Sequence, residues 1–268
     1  MSVKTMKNLL RSVIPQSGIA SMKSAGYRSR AAWEALKRTD LETYRLSIAK
    51  IGDFEVAYRT GSADEEVLGD SFGNDIFLSA IPEYAPTKDH IVLDVGAHIG
   101  TFSLLVATKV RSVFAIEASK DTFEFLKINV RLNRLENVVL SHVALAGESG
   151  TAVLHHDLGG NWGHSIMKQL SKSGEQVEAM SLADYLSKYN LDHVDLIKFN
   201  CEGAEFPILT GATPNTLAKI DRMLILYHCD LAIGHSLDTL TSHLTRCGYS
   251  MRIFNQSEQR GWVWASRA

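Results

Sequence analysis

Three cysteines in 268 residues leave little room for a disulfide frame. Cys201, Cys229 and Cys247 are odd in number and form no C-x-x-C pair, which argues against structural zinc and for a reducing compartment, the cytoplasm. The 10 histidines show neither H-E-x-x-H nor clustered ligand spacing, so no metal is expected. No stretch approaches about 18 uninterrupted apolar residues, so no membrane-spanning helix is expected. A formal charge of −2 gives no global pull on nucleic acid, and no N-P-P-Y-type motif occurs. Internal repeats and low-complexity segments are lacking too.

What is present is an ordinary globular composition, 45% hydrophobic and 22% charged, on a chain long enough to bury a sizeable core. The charge is uneven. Residues 1–33 carry Lys4, Lys7, Arg11, Lys23, Arg28 and Arg30 and no acid. A solvated arm is the favoured reading, ahead of a docking arm for an acidic partner, membrane surface or RNA. "NLLRSVI" is short and broken by Arg11, so it is a poor secretory signal; a mitochondrial transit peptide ranks lower than the arm.

Residues 28–40 read as an amphipathic helix, and "RLSIAKIGDFEVAYR" as a hairpin turning at Gly52-Asp53. "GSADEEVLGDSFGNDIFLSAIPEY" reads as mostly helical, entered at Ser62, with a break at Ser71–Asn74 kept open. From residue 91, short β-rich runs alternate with helical ones. The runs are 91–95, 112–117, 138–142, 194–199 and 223–228, with helices beginning near Thr101, Asp121, Ser181 and Ala204. Such alternation means βαβ units and a parallel sheet covered on both faces. Residues 150–180 interrupt it with a glycine-rich insert. After a helix near 235–247, "YSMRIFNQ" and "GWVWAS" close the chain as an antiparallel hairpin. The division expected is an extension, 1–85, followed by a doubly wound, Rossmann-like domain, 86–268. The extension is also a candidate surface for a homodimer.

"LDVGAHIG" ends the first parallel strand. Gly96 and Gly100 permit tight turning and close approach, and the helix opening at Thr101 directs N–H groups at an anionic ligand group. G-x-x-x-G is not the dinucleotide G-x-G-x-x-G. Asp94 beside the loop would repel a pyrophosphate, but suits a ligand carrying an ammonium and a sulfonium. S-adenosylmethionine is such a ligand, with S-adenosylhomocysteine as its product. Glu117 lies 23 residues further on, at the second strand tip, where a carboxylate can accept both hydroxyls of a ribose. Ala97, His98 and Ala118 complete this side, and Val143 and Ala144 at the third strand tip are placed for an adenine.

The ordered segments "LDVGAHIGTFSLL", "AIEAS…TFEFLKINVRLN", "HVALAGESGTAVLH", "MSLADYL" and "VDLIKFNCEGAEFPILTGA" resemble the FkbM-type methyltransferase family. "VAYRTGSADEEVL" resembles the segment ahead of the family's core, so the likeness covers roughly residues 54–250. It implies a class I methyltransferase fold, a seven-stranded mostly parallel sheet, and methyl transfer from S-adenosylmethionine. The usual acceptor is a hydroxyl of a sugar, glycan or natural product; some relatives act on peptide amides. The family usually has aspartate where this chain has Asn200. An amide cannot serve as a base and binds metal more weakly, but it can orient substrate or the cofactor's amino group.

Methyl transfer needs an aligned acceptor and a group to take its proton. His228, ending "MLILYH", is the first candidate for that base. Glu202 is the second, as base or hydroxyl acceptor; it and Glu205, at i and i+3, are expected on one side of a starting helix. Glu205, Trp162 and His164 are candidate acceptor contacts, the last two on an insert that could lid the site. Lys198 is read as a strand residue reaching solvent or a carboxylate, and His193 as sitting at the wrong sheet end. The readings kept beside the leading one are peptide amide N-methylation, an NAD-type oxidoreductase, and a methyltransferase-like binding protein with reduced catalysis.

Overall fold

The computed structural model describes residues 46–156, 164–167, 174–231 and 234–267. The basic arm, the helix read over 28–40 and Trp162 lie outside them. Strands β1 (Leu46–Ile51) and β2 (Phe54–Arg59) form the expected antiparallel hairpin, with Gly52 at φ 59° in its two-residue turn. The stretch after it is less helical than its pattern suggests. Only α1 (Asp64–Leu68) is α-helical; it runs into a π-helical turn at Gly69–Gly73, and Asp75 then takes φ 41°. Gly69, Asp70, Ser71 and Gly73 are poor helix formers, so nothing local sustains the helix. Phe77, Ile81 and Tyr84 nevertheless anchor the segment in the core.

The main sheet joins β3 (Ile91–Val95), β4 (Ser112–Ile116), β5 (Val138–Ser141), β9 (Leu196–Phe199), β10 (Arg222–His228), β11 (Ser250–Phe254) and β12 (Arg260–Ser266). Between β5 and β9 come β6 (Ala144–Ala146), β7 (Gly150–His155) and β8 (Gly174–Ser181). The main sheet's order is β11-β12-β10-β9-β3-β4-β5. Neighbours from β10 through β5 pair in parallel, and β12 runs antiparallel to both β10 and β11. This is the doubly wound, mostly parallel seven-stranded sheet expected, with its chain reversal between β3 and β9. Ligand crevices of such sheets open beyond the strand ends at that reversal.

The parallel strands are buried on both faces, which is why they read as near-continuous apolar runs. Leu93, Val95, Phe199 and Ile225 meet α4 (Leu182–Lys188), α5 (Glu205–Gly211), α6 (Pro214–Leu217) and α7 (Leu237–Arg246). Val92, Val113, Leu196 and Leu224 pack with Phe77, Ile81 and residues of α2 (Thr101–Ala107). The glycine-rich stretch 150–180 contains strands its composition hid. β7 and β8 pair antiparallel and, with β6, form a separate three-stranded sheet.

The hairpin is not a loose appendage. Val56, Tyr58 and Leu68 share a cluster with Ile99, Leu104, Phe125 and Ile128, the last two on α3 (Lys120–Leu132). The buried Asn129 side chain ties the hairpin to the loop after β3. It accepts from the Ala57 N–H at 2.6 Å and donates to the carbonyls of Ala57 and Ile99 at 3.0 and 2.7 Å.

Candidate active site

A cleft of about 420 Å³ opens at the C-terminal ends of the parallel strands. One wall is the loop joining β3 to α2. Gly96 has φ 71° and Gly100 φ 92°. A Cβ on Gly96 would sit 1.9 Å from the Asn200 carbonyl oxygen, and one on Gly100 would sit 2.5 Å from Leu126 Cδ1. Both glycines therefore serve the tight turn and close packing of the loop on β9 and α3, and Gly96 also lines the cleft.

Asp94 lies beneath this loop and does not line the cleft. β3 points alternate side chains to opposite faces, and Asp94 is 0% exposed beside Lys198 on β9. Lys198 Nζ donates to Asp94 Oδ1 at 2.9 Å and to the Gly96 carbonyl at 2.8 Å; Ser103 Oγ donates to Asp94 Oδ2 at 2.7 Å. The expected direct contact between Asp94 and a cationic ligand is replaced by an internal pair that fixes the glycine turn. A buried charge held this way needs its partner, so Lys198 is as necessary to the loop as Asp94.

Glu117, just past β4, does line the cleft. Its Oε2 accepts the His98 N–H at 2.9 Å and its Oε1 the Ser119 N–H at 2.8 Å. Burial raises its carboxyl above the ordinary value; those N–H bonds and the charges of Lys198 and Arg59 pull it back. Ala97, His98, Thr101, Ala118, Val143 and Ala144 line the same half.

Across the reversal stand Asn200, Glu202 and His228. Asn200 Oδ1 is buried with no hydrogen-bond partner among the described residues. An acceptor in that state costs free energy unless a ligand donor or water meets it. Glu202 precedes α5, at φ 52°, so it does not share a helix face with Glu205 as its spacing suggested. Glu205 starts the helix, is 0% exposed, and lies outside the cleft lining. Its Oε1 accepts the His228 N–H at 2.7 Å and faces His228 Nδ1 at 3.2 Å, while Oε2 accepts the Gly203 N–H at 3.0 Å. A carboxylate so engaged positions the imidazole and has no reach to an acceptor. His228 Nε2 lies 3.6 Å from Glu202 Oε1. Burial pulls the His228 imidazole down, but the bond to Glu205 and the charges of Glu205 and Glu202 outweigh it, and the net direction is up. Burial raises Glu202, partly offset by His228 and Arg260.

His164 lines the cleft and meets His156 edge-on, with ring centroids 4.8 Å apart. Sequence reasoning missed Asp70, Phe77, Arg260 and Trp262, which also line it. Register would have found Arg260, because it pairs directly with His228 across β10 and β12. It forms a two-point contact with Asp230, at 2.9 and 2.8 Å. His193 sits at the opposite strand end, as expected, yet the fold brings its ring within 4.8 Å of carboxylates of Asp195 and Asp221. Distances along the chain could not show that gathering.

Sheet order, reversal-point cleft and a strand-tip carboxylate define a Rossmann-like enzyme of the methyltransferase class. The sequence profile of the methyltransferase FkbM domain matches residues 94–251, more than half of the chain. The chain belongs to the FkbM methyltransferase family. It is 27% identical over 196 residues to Methyltransferase 1 of Beauveria bassiana, covering 65% of this chain and 78% of that one. It is 25% identical over 199 residues to the hexuronic acid methyltransferase AglP of Haloferax volcanii, covering 73% and 79%. The crystal structure of an FkbM methyltransferase from Methylobacillus flagellatus aligns at 14% identity and a TM-score of 0.49, over 68% of this chain and 44% of that chain.

Proposed function

We propose that this chain transfers a methyl group from S-adenosylmethionine to a hydroxyl of a sugar, glycan or natural product. The observation that carries the reading is the pair of unlike half-sites facing one cleft. Glu117, fixed by two backbone N–H bonds, keeps lone pairs for the hydroxyls of a ribose. The lone Asn200 Oδ1 suits an N–H donor such as the cofactor's amino group. Opposite them, Glu202 and His228 form a proton-accepting pair, which an O–H acceptor requires. S-adenosylmethionine, when bound, supplies a methyl carried on a sulfonium.

Glu205 holds the Nδ1 side of His228, leaving Nε2 toward Glu202. The hydroxyl proton passes to this coupled pair while the oxygen gains the methyl. The 3.6 Å gap between its members is longer than a hydrogen bond, as is common before substrate closes a site. Asp94 takes part through Lys198, as a positioning residue for the loop. The sugar preference draws support from the hexuronic acid methyltransferase relative.

The test is incubation with methyl-labelled S-adenosylmethionine and a panel of hexuronic acids, neutral glycans and peptides, followed by mass spectrometry. A methyl ether on a carbohydrate is the expected product. Methylated amide nitrogen with unmodified glycans would overturn the assignment to oxygen.

A further inference from the structure

The end of the hairpin and the start of α1 share a buried ion pair that the reading above leaves unused. Arg59 and Asp64 are 1% and 0% exposed. Arg59 Nε donates to Asp64 Oδ2 and Nη2 to Oδ1, each at 2.8 Å, and the Arg59 backbone N–H reaches Oδ2 at the same distance. Arg59 Nη1 meets Thr122 Oγ1 at 3.2 Å, and the guanidinium lies 5.0 Å from the Phe125 ring centroid. Two well-packed apolar side chains often serve stability as well as a pair this deeply desolvated. Its contacts point to another use. Asp64 Oδ1 also lies 3.4 Å from His98 Nε2. His98 sits in the cleft loop at φ 55°, a left-handed backbone that persists in a non-glycine residue when its surroundings fix it. The backbone N–H of that same residue donates to Glu117.

We propose that the Arg59–Asp64 pair is a strut that fixes the His98 turn and so aims Glu117, making the hairpin a working part of the cofactor site. Arg59 and Asp64 are positioning residues in this scheme, and neither touches the cofactor. The inference rests on the reading of Glu117 as the ribose acceptor. The charge of Arg59 also favours the ionised form of Glu117.

The test combines calorimetric titration of the full chain with S-adenosylhomocysteine and thermal melting of the same samples. The double variant Arg59→Met/Asp64→Leu replaces the pair by apolar side chains and avoids stranding one buried charge. His98→Asn removes the imidazole but keeps a side chain tolerant of the left-handed backbone. His98→Asn is expected to melt near wild type, and the double variant below it because the buried Arg59 backbone N–H loses its acceptor; both are expected to bind about tenfold more weakly, as loss of an outer support does elsewhere. Combining them is expected to add little, because they break one connection. A wild-type Kd in His98→Asn, or in a folded double variant, overturns the strut. Wild-type protein that fails to bind S-adenosylhomocysteine overturns the cofactor reading instead, which separates the two failures.

Discussion

At the N-terminal end of the parallel strands, His193, Asp195 and Asp221 gather within 4.8 Å; at the C-terminal end, His228 stands between two carboxylates, 3.6 Å from Glu202 through Nε2 and 3.2 Å from Glu205 through Nδ1. The first group is turned inward on the backbone and outward to water. Asp195 Oδ2 accepts the Ile91 N–H at 2.7 Å, Arg222 lies 3.5 Å from Asp221, and the His193 side chain is 54% exposed. Nearby, the Thr87 N–H donates to His90 Nδ1, which leaves the His90 Nε2–H to face Asp195 at 3.7 Å. These groups pin strand starts. In the second group Glu202 and His228 line a cleft with the buried Glu205 behind them, beside an amide oxygen with no partner among the described residues. Gathered titratable groups are therefore common to both ends. An enclosing cleft distinguishes the end to which the proposed chemistry is assigned.

The hardest blow to the C-terminal end is Gly96→Ala. A Cβ there would lie 1.9 Å from a backbone oxygen at a left-handed φ of 71°, so the loop and β9 must separate. We expect loss of cofactor binding and destabilisation of about 4 kcal/mol, read by calorimetry and denaturant melts. Retained binding would mean that the loop has slack the packing does not show.

His228→Gln is expected to lower kcat by about 10²–10⁴-fold while sparing cofactor affinity. An unchanged kcat would remove His228 from the proton path. The pH profile sharpens the same point. A base works deprotonated, and burial raises Glu202 above its ordinary 4.5, so activity should fall on acidification at a pH above that value. For stability the sign is as follows: His228 has a raised folded-state value, so its contribution is full below its ordinary 6.5 and fades as pH rises through the raised value. The stability difference between wild type and His228→Gln should accordingly narrow in that window. The smallest effect belongs to the other end. His193→Ala, on a half-exposed side chain, should leave kcat unchanged and cost within about 0.5 kcal/mol of stability. A large loss of activity there would erase the contrast between the two ends.

Much of the sheet was legible because its strands are short, apolar and separated by helices. The α1 helix was legible too, but the stretch after it was not, because its apolar period continues past residues that cannot sustain a helix. β7 and β8 were hidden because each buries few side chains and they flank a polar insert. In the site, Glu117, His228 and the Gly96–Gly100 loop could be read from strand tips. The inward turn of Asp94 and Glu205 could not, because strand parity and helix start decide which face a side chain takes.

The most direct measurement is titration of wild type and Glu117→Gln with S-adenosylhomocysteine. An amide retains one acceptor oxygen but loses the charge that receives two hydroxyls. The account predicts binding by wild type, weakened about tenfold or more in the variant, with both proteins equally folded. Equal affinity in the two proteins would contradict it.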